Sequence, residues 1–342
     1  MINLLEIKDS SGILSNKNRL KKRMDEEGYL FFKGVLSKDR ILSLRKDICD
    51  ILQINGWLEK DTESIDGIAN IDKRCTEGEI VYVNVYHQIY KLRSFHNSGH
   101  WPELINILSN LFENGVFPIP QKILRIWFPQ FILHTTPFHQ DFVHFQSDKQ
   151  YTSWIPLGDC DIDLGGLAVI PSTHREKNNH KFSLGAGNLK VDINKFKDSI
   201  FTTNYEAGDL LLFHVNTIHG ALPNKTTDKF RISLDNRFQP KGYEVAEHLL
   251  EPHLFDQSQF TWDEVYSDWN EDDDLKYYWE KDSFKIINRD EQYIKLAVNG
   301  AINLANKKKD ENAVLFLNRV KVLDPESENG QKAIKTLDQL NF

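Results

Sequence analysis

The chain has 342 residues, of which 40% are hydrophobic, so it is long enough to bury a sizeable core. Its 42 basic and 50 acidic side chains give a formal net charge of −8, which argues against a nucleic-acid-binding protein with a basic surface. The three cysteines, Cys49, Cys75 and Cys160, lack the spacing of a metal site and favour a protein of the reducing cytoplasm.

The first residues predict neither a secretion signal nor a membrane anchor. Glu6 and Lys8 interrupt the short apolar run at the N-terminus, whereas a signal peptide needs an uninterrupted one. No other stretch of the sequence approaches the length that is needed to cross a bilayer. We therefore expect no membrane partner.

Two helices are predicted next, over residues 15–27 and 37–53. In the second segment apolar residues recur at helical spacing from Ile41 to Leu52, and Ser37 precedes them as a helix N-cap. Both helices are expected to brace the outer face of a sheet.

The following region is polar and then aromatic. Residues 54–80 are rich in turn-forming residues, so they form either a cover over a cavity or an ordinary surface loop. His87, His96 and His100 then lie among tyrosines and a tryptophan. This mixture favours an amphipathic wall packed on the main domain over a second metal site.

Two strands are predicted over residues 122–133 and 137–145, separated by a proline-containing bend. Arg125 and Trp127 share one face of the first strand, because alternate residues of a strand point the same way. Either side chain could reach a bound small molecule, and a structural role is equally compatible with this position.

The triplet His139-Gln140-Asp141 lies in the second of these strands and is the most informative motif of the chain. On a strand, His139 and Asp141 would point to the same side and offer an imidazole and a carboxylate to one ion. His219, after a buried strand and before Gly220, supplies a second imidazole. Two histidines and one carboxylate on one face of an octahedron leave the opposite face open, as in non-haem Fe(II) oxygenases that bind a cosubstrate and O2.

Arg231 and Ser233 share a face of the next predicted strand. A guanidinium offers two parallel charge-assisted donors to a carboxylate, and the neighbouring hydroxyl offers a third donor. This pair indicates 2-oxoglutarate as the cosubstrate, with its ketoacid end on the iron and its far carboxylate on Arg231.

The C-terminal part differs in character, and we predict a domain boundary near residue 250, which gives segments 1–250 and 251–342. Residues 254–284 combine tryptophans and tyrosines with acidic side chains, so the aromatic rings are expected to anchor on the first domain while the carboxylates stay solvated. Residues 292–339 predict a helical hairpin, and 312–325 weakly resemble the closing helix of a tetratricopeptide repeat. Because one hairpin cannot bury its own apolar face, it should dock on the catalytic domain, on a second subunit or on a partner protein.

From about Gly28 to about Pro240 the sequence resembles the phytanoyl-CoA dioxygenase family of Fe(II)/2-oxoglutarate oxygenases. The matching parts are an opening strand at 28–36, the triplet His139-Gln140-Asp141, the strand 154–159, the stretch 165–174 that begins Gly165-Gly166, the strand that starts at Gly208-Asp209, His219, and Arg231-Ile232-Ser233. In one departure, Ser172 stands where the family usually has glycine, which could give that turn a different conformation.

The resemblance implies a mainly β fold with flanking helices. Its core would be a double-stranded β-helix, a cupin-like jelly roll, with the iron between two sheets and a helical C-terminal extension outside it. The implied metal ligands are His139, Asp141 and His219, and the implied 2-oxoglutarate-binding residues are Arg231, Ser233 and Trp154. In the family Trp154 can pack on the same pocket and shield the ion pair of Arg231; its alternative role is that of a plain core tryptophan.

Several other residues compete for these roles. His144 would face away from the ligand side of the predicted strand, and we interpret it as a wall or surface residue. His214 is the stronger rival of His219, but only His219 has the following glycine and the family's distance to an arginine. His174 resembles a family histidine that orders a loop or borders the substrate. Arg237 is expected to be an ordinary surface salt-bridge partner.

The predicted activity is hydroxylation of a small-molecule metabolite with release of succinate and CO2. Related halogenases lack the carboxylate, so the presence of Asp141 argues against halogenation. Desaturation and ring formation use the same iron and cosubstrate, and they differ in where the substrate carbon lies. Two alternatives stay open: a non-catalytic metal-binding or interaction protein on the same barrel, and an oxygenase that acts on a peptide or a carrier-bound substrate recruited by the C-terminal helices. These helices could also mediate a homo-oligomer.

Overall fold

The computed structural model describes residues 3–77, 79–131, 134–183, 185–254, 260–308 and 310–340, without the side chains of residues 308, 312 and 323. The first two residues of the N-terminal apolar run, residues 132–133 of the first predicted strand and residues 255–259 of the acidic and aromatic segment therefore lie outside the described residues. Across the described ranges, no helix combines the length and apolar character that a membrane crossing requires.

One sheet has four strands. Their order is β1 (Leu4–Glu6), β9 (Ile200–Thr202), β6 (Leu167–Ile170) and β11 (Ile218–Ala221). The first pair is parallel and the other pairs are antiparallel, so the sheet is mixed.

The second sheet faces the first and is built around one long strand. Its order is β2 (Tyr29–Phe32), β10 (Leu210–His214), β5 (Tyr151–Pro156), β12 (Arg231–Pro240) and β3 (Val116–Pro118), and β4 (Ile123–Trp127) also pairs with β12. All of these pairs are antiparallel. Two short ladders complete the strands, β7 (His180–Phe182) with β8 (Leu189–Val191) and β13 (Val245–Ala246) with β14 (Ile286–Ile287).

The alternation of side chains along these strands separates two cores. Leu210 and Leu212 of β10 pack in the large core that also holds the N-terminal helices. Leu211 and Phe213 of the same strand pack in a different core, together with Val169 of the opposite sheet. One face of the second sheet is thus covered by helices, and the other faces the first sheet.

The N-terminal helices confirm the two that the sequence predicts. In chain order they are α1 (Lys17–Glu27), α2 (Lys38–Ile54), α3 (Ile80–Tyr90), α4 (Arg93–Asn97) and α5 (Pro102–Leu111). The Ser37 hydroxyl accepts a hydrogen bond from the Arg40 backbone N–H and so caps α2 as expected.

The strand predicted over residues 137–145 is wrong. His139 forms only an isolated bridge with His219, and the chain then turns into the short helix α6 (Phe142–Phe145). Pro137 has no backbone N–H for a ladder, and Asp141 has helical dihedral angles at the N-terminal end of α6. The first predicted strand is shorter than expected, because β4 ends at Trp127.

The aromatic rings of the acidic and aromatic segment pack into the large core, as expected, but the Asp273 carboxylate is buried and paired with Arg93 rather than solvated. Trp262 and Val265 of α7 (Trp262–Val265) and Trp279 lie in the large core, and the Trp262 indole N–H donates to the Leu250 carbonyl oxygen at 2.6 Å. Glu271 and Asp272 are exposed.

The prediction of a helical hairpin at the C-terminus is also wrong. The segment forms three helices, α8 (Gln292–Lys308), α9 (Glu311–Leu323) and α10 (Glu328–Leu340), which bury their apolar residues against one another. Phe182 of β7 packs against this helical core, and its ring lies 5.8 Å from that of Phe316. Contact with the rest of the chain is one of the three modes of docking that the sequence left open, and Phe182 provides such a contact.

Candidate active site

A cleft opens between the two sheets. It is lined from the four-stranded sheet by β6 and β11 and from the other sheet by β4, β5, β10 and β12. The lining side chains are Arg125, Thr136, His139, Asp141, Thr152, Trp154, Leu167, Phe213, His219, Ala221, Arg231, Asp235 and Arg237. Seven of these thirteen are charged or histidine, so the cleft can bind ionic ligands away from bulk water.

Three of the predicted residues meet at one point in this cleft. One Asp141 carboxylate oxygen lies 3.3 Å from Nε2 of His139 and 3.7 Å from Nε2 of His219. All three ligand atoms lie within 4.8 Å of one another, and all three residues are buried. In the described part of the chain, no other group of three potential ligands comes together in this way.

Both imidazoles are held in the orientation that metal binding needs. The His139 Nδ1–H donates to the Pro137 carbonyl oxygen at 2.8 Å, and the His219 Nδ1–H donates to the Thr217 carbonyl oxygen at 3.0 Å. Each ring therefore directs an Nε2 lone pair into the cleft. The Thr152 hydroxyl donates to the second oxygen of Asp141 at 2.8 Å, which leaves the first oxygen for a metal ion.

The protonation states also suit a cation. Burial raises the pKa of Asp141, but His219 and His139 lower it by more, so its pKa lies well below the ordinary value and the group stays ionised. Burial and the neighbouring His139 lower the pKa of His219 to about 3, so His219 is neutral at pH 7. The donor set of two imidazole nitrogens and one carboxylate oxygen fits Fe(II) with open coordination positions.

Arg231 lies on β12 in the same cleft and is only 2% exposed. Its Nε–H donates to the Gly165 carbonyl oxygen at 3.1 Å, and Nη1 donates to the Ser233 hydroxyl at 3.0 Å. The Trp154 ring centroid lies 5.5 Å from its Cζ, so the tryptophan covers the guanidinium as the family resemblance implies. Within the described residues no carboxylate lies within 4.0 Å of this charge, which leaves it available to an anionic ligand.

Two residues near the cleft have a positive φ, a conformation that favours glycine: Gly165 and Ser172. Gly165 has a φ of 94°, and a Cβ atom there would lie 2.5 Å from the Leu222 carbonyl oxygen, so only glycine can present its carbonyl to Arg231 in this way. Ser172, the departure from the family pattern, nevertheless has a left-handed φ of 63°. Its hydroxyl donates to the Glu26 carbonyl oxygen at 2.8 Å, which holds the turn in that conformation.

The competing histidines have other surroundings. His214 uses both ring nitrogens, since Nε2 donates to the Asp148 carbonyl oxygen and Nδ1 accepts the Asn216 backbone N–H. His174 contacts the Asp25 carbonyl oxygen through Nε2 at 3.1 Å and borders the start of β2. His144 lies on α6 behind the metal site, with its ring 5.2 Å from that of Tyr293 on α8.

The histidines of the aromatic segment pack among rings. His87 stacks on Phe260 with ring centroids 4.0 Å apart, and the His96 Nε2–H donates to the Tyr90 carbonyl oxygen. Neither these residues nor His100 join the cluster of potential metal ligands. This is the aromatic wall that the sequence predicts.

The sequence interpretation missed Arg237. It was expected at the surface, but it is 3% exposed and lines the cleft on the same face of β12 as Arg231. The missed signal was the alternation of strand residues, because positions 231, 233, 235 and 237 share one face. Arg125 also lines the cleft, and its guanidinium is paired with Glu77 at 2.7 Å and Asp235 at 3.3 Å.

Comparison with known proteins identifies the family to which the chain is similar. A model of the phytanoyl-CoA dioxygenase family (PhyH) matches residues 24–233, and this match confirms the resemblance seen in the sequence. Two curated relatives are the 1-deoxypentalenic acid 11-beta-hydroxylases of Streptomyces arenae and Streptomyces exfoliatus. They are 23% and 21% identical to the chain, and each alignment covers 71% of this chain and 88% of the relative.

Two solved structures are similar to this chain. The non-heme alpha ketoglutarate dependent carbocyclase SnoK from nogalamycin biosynthesis aligns with a TM-score of 0.48 at 15% identity, over 69% of this chain and 88% of that protein. EctD from S. alaskensis, solved with bound Fe, aligns with a TM-score of 0.43 at 18% identity, over 70% of this chain and 80% of that protein.

Proposed function

The chain belongs to the phytanoyl-CoA dioxygenase family of Fe(II)- and 2-oxoglutarate-dependent oxygenases, and we propose that it hydroxylates a small-molecule metabolite with release of succinate and CO2. The observation that carries this proposal is the buried cluster of His139, Asp141 and His219 beside Arg231 in one cleft. A binding module would have no use for both a metal triad and a buried guanidinium suited to a carboxylate.

In the proposed site each residue has a separate task. His139, Asp141 and His219 hold Fe(II), which when bound supplies the redox chemistry that activates O2 for attack on a C–H bond. Thr152 keeps the Asp141 carboxylate turned toward the metal, and the carbonyl oxygens of Pro137 and Thr217 fix the tautomers of the two histidines. Phe213 and Leu167 exclude water from the cleft.

Arg231 binds the far carboxylate of 2-oxoglutarate, and Ser233 supports it. The Ser233 oxygen already accepts a hydrogen bond from Arg231, so its own O–H remains able to donate to the same carboxylate. The Trp154 ring excludes water from one face of the guanidinium, which strengthens the ion pair.

The proposal extends to the fold, the location and the substrate. The two facing sheets are the halves of a double-stranded β-helix, which brings the ends of β5, β11 and β12 around one ligand. A cytoplasmic location agrees with the three buried, free cysteines. The curated relatives are hydroxylases of a carboxylic acid by name, which supports a small organic acid as substrate.

One experiment tests the function directly. Anaerobic addition of Fe(II) and 2-oxoglutarate to the full-length protein should produce the visible charge-transfer band of a metal-bound 2-oxo acid, and admission of O2 should convert 2-oxoglutarate to succinate. A protein that binds the metal but gives neither signal would be the non-catalytic alternative. Enhancement of succinate formation by peptides but by no small acid would favour the carrier-bound alternative.

The role of the C-terminal helices can be tested by ending the chain at Asn288. Such a variant keeps all the proposed site residues, but it removes Tyr293 from the His144 ring and the helical core from Phe182. We expect a lower melting temperature and a loss of succinate formation, because α6, which carries His144, begins directly after Asp141. Retained activity together with a smaller size on a sizing column would instead assign the helices to association.

A further inference from the structure

Arg237 carries a buried guanidinium that forms no ion pair in the described part of the chain. It is 3% exposed, and neither Nε nor Nη1 has a hydrogen-bond partner among the described residues. Its Cζ lies 4.0 Å from the centroid of the Phe145 ring, so one face of the group is covered by an aromatic side chain. No carboxylate in the described ranges lies within 4.0 Å of it, although Asp141 and Asp235 are near enough to interact electrostatically.

The other two arginines of the cleft differ in this respect. Arg125 is paired with Glu77 and Asp235, and Arg231 donates to Gly165 and Ser233. Buried polar groups in folded proteins are almost always satisfied, and a buried charge without a partner is costly. A ligand that brings an anion to Arg237 accounts for this position.

The strand register places Arg237 beside the metal site. Arg237 lies opposite Thr152 on β5, and Thr152 donates to Asp141. Arg231 is six residues away on β12, which corresponds to about 20 Å between the two backbone positions. An anion on Arg237 therefore lies at the metal end of the cleft, whereas the predicted cosubstrate carboxylate lies at the other end.

We propose that Arg237 binds a carboxylate of the substrate and thereby fixes which carbon lies over the metal. This inference rests on the proposed function and specifies its substrate as an anionic small molecule. The planar fork of the guanidinium suits bidentate binding of a carboxylate, and Phe145 keeps water from the ion pair. A second carboxylate source is 2-oxoglutarate itself through the group next to its keto carbon, and the test separates the two.

The test uses the full-length protein, loaded anaerobically with Fe(II) and saturating 2-oxoglutarate. Binding of cyclohexanecarboxylate and of its uncharged analogue cyclohexanecarboxamide is measured by calorimetry. The wild type should bind the carboxylate about 10-fold or more tightly than the amide, because a charge-assisted pair is lost in the amide. Arg237→Met should abolish this preference, and Arg237→Lys should retain part of it. No preference in the wild type, or an unchanged preference in Arg237→Met, would overturn the inference.

Two further measurements distinguish other roles. The affinity for 2-oxoglutarate, measured from the charge-transfer band, should be unchanged in Arg237→Met. A loss of affinity as large as that in Arg231→Ala would show that Arg237 binds the cosubstrate and would contradict its role in binding a substrate carboxylate. The melting temperature of Arg237→Met should not fall, because an unpartnered buried charge does not stabilise the fold. A clear drop would indicate a structural role. Absence of the band from the wild type would instead defeat the proposed function.

Discussion

Replacing Asp141 with alanine is expected to abolish the iron-dependent conversion of 2-oxoglutarate to succinate. The carboxylate is the only anionic member of the ligand cluster. The other two ligands are imidazoles, whose Nε2 atoms lie 3.3 and 3.7 Å from one of its oxygens. Without it, two ligands hold Fe(II) weakly and no longer define the open face on which cosubstrate and O2 must bind. His139→Ala and His219→Ala should have the same result.

The measurements are iron stoichiometry and succinate formation under air. His214→Ala is the matched control, because His214 ends β10, five residues before His219, and its ring nitrogens are engaged elsewhere. It should retain iron. Thr152→Val should have an intermediate effect. Loss of the hydrogen bond that orients Asp141 should weaken metal binding by about 10- to 100-fold. Full activity in any of the three alanine variants, or loss of iron from His214→Ala, would reject this ligand set.

The ligand set could be predicted from sequence although the local structure around it could not. His139 and Asp141 are brought to one point by an isolated bridge and the first turn of α6, rather than by the strand that the spacing indicated. The chemical types and their order along the chain carry the metal-binding signal. The backbone path depends on Pro137 and on the pairing with His219, which is a long-range contact that local patterns do not contain.

For Arg237, by contrast, the position in the cleft could have been predicted from the sequence but was not. Strand alternation from Arg231 was sufficient to place it in the cleft, but the general tendency of arginine to be exposed was given more weight. The register of β12 with β5, which sets Arg237 opposite Thr152, follows from the packing of both sheets. It becomes visible only in the structure.

The C-terminal helices were predicted as helical, but their number was not. The buried positions of α10 include Asn329, Gly330, Ala333 and Thr336, and only Leu337 is a large apolar residue. The sequence interpretation did not separate this helix from the preceding ones, although its buried residues, among them Ala333 and Leu337, fall on one helix face. Its burial depends on the neighbouring helices α8 and α9.

Replacing Arg231 with alanine should raise the concentration of 2-oxoglutarate that is needed for half-maximal turnover by about 30- to 1,000-fold, which corresponds to roughly 2–4 kcal/mol of charge-assisted binding. The effect should be large because Arg231 is 2% exposed, so water cannot replace the lost charge, and because Trp154 covers one face of the guanidinium. Fe(II) binding should be nearly unchanged, since the triad keeps its own hydrogen bonds to Pro137, Thr217 and Thr152.

The affinity for 2-oxoglutarate is measured anaerobically from the charge-transfer band, and iron is measured separately. Arg231→Lys keeps the charge but loses the second donor of the fork, so its affinity should lie between those of the wild type and Arg231→Ala. Ser233→Ala should be milder still, because it removes one neutral hydroxyl and leaves the Arg231 bond to Gly165 intact. Unchanged affinity in Arg231→Ala would move the carboxylate site elsewhere in the cleft. Arg125 is already paired with Glu77 and Asp235, so Arg237 would then be the arginine that binds the cosubstrate carboxylate. In that case Arg237 could not also bind the substrate carboxylate, and our inference about it would be wrong.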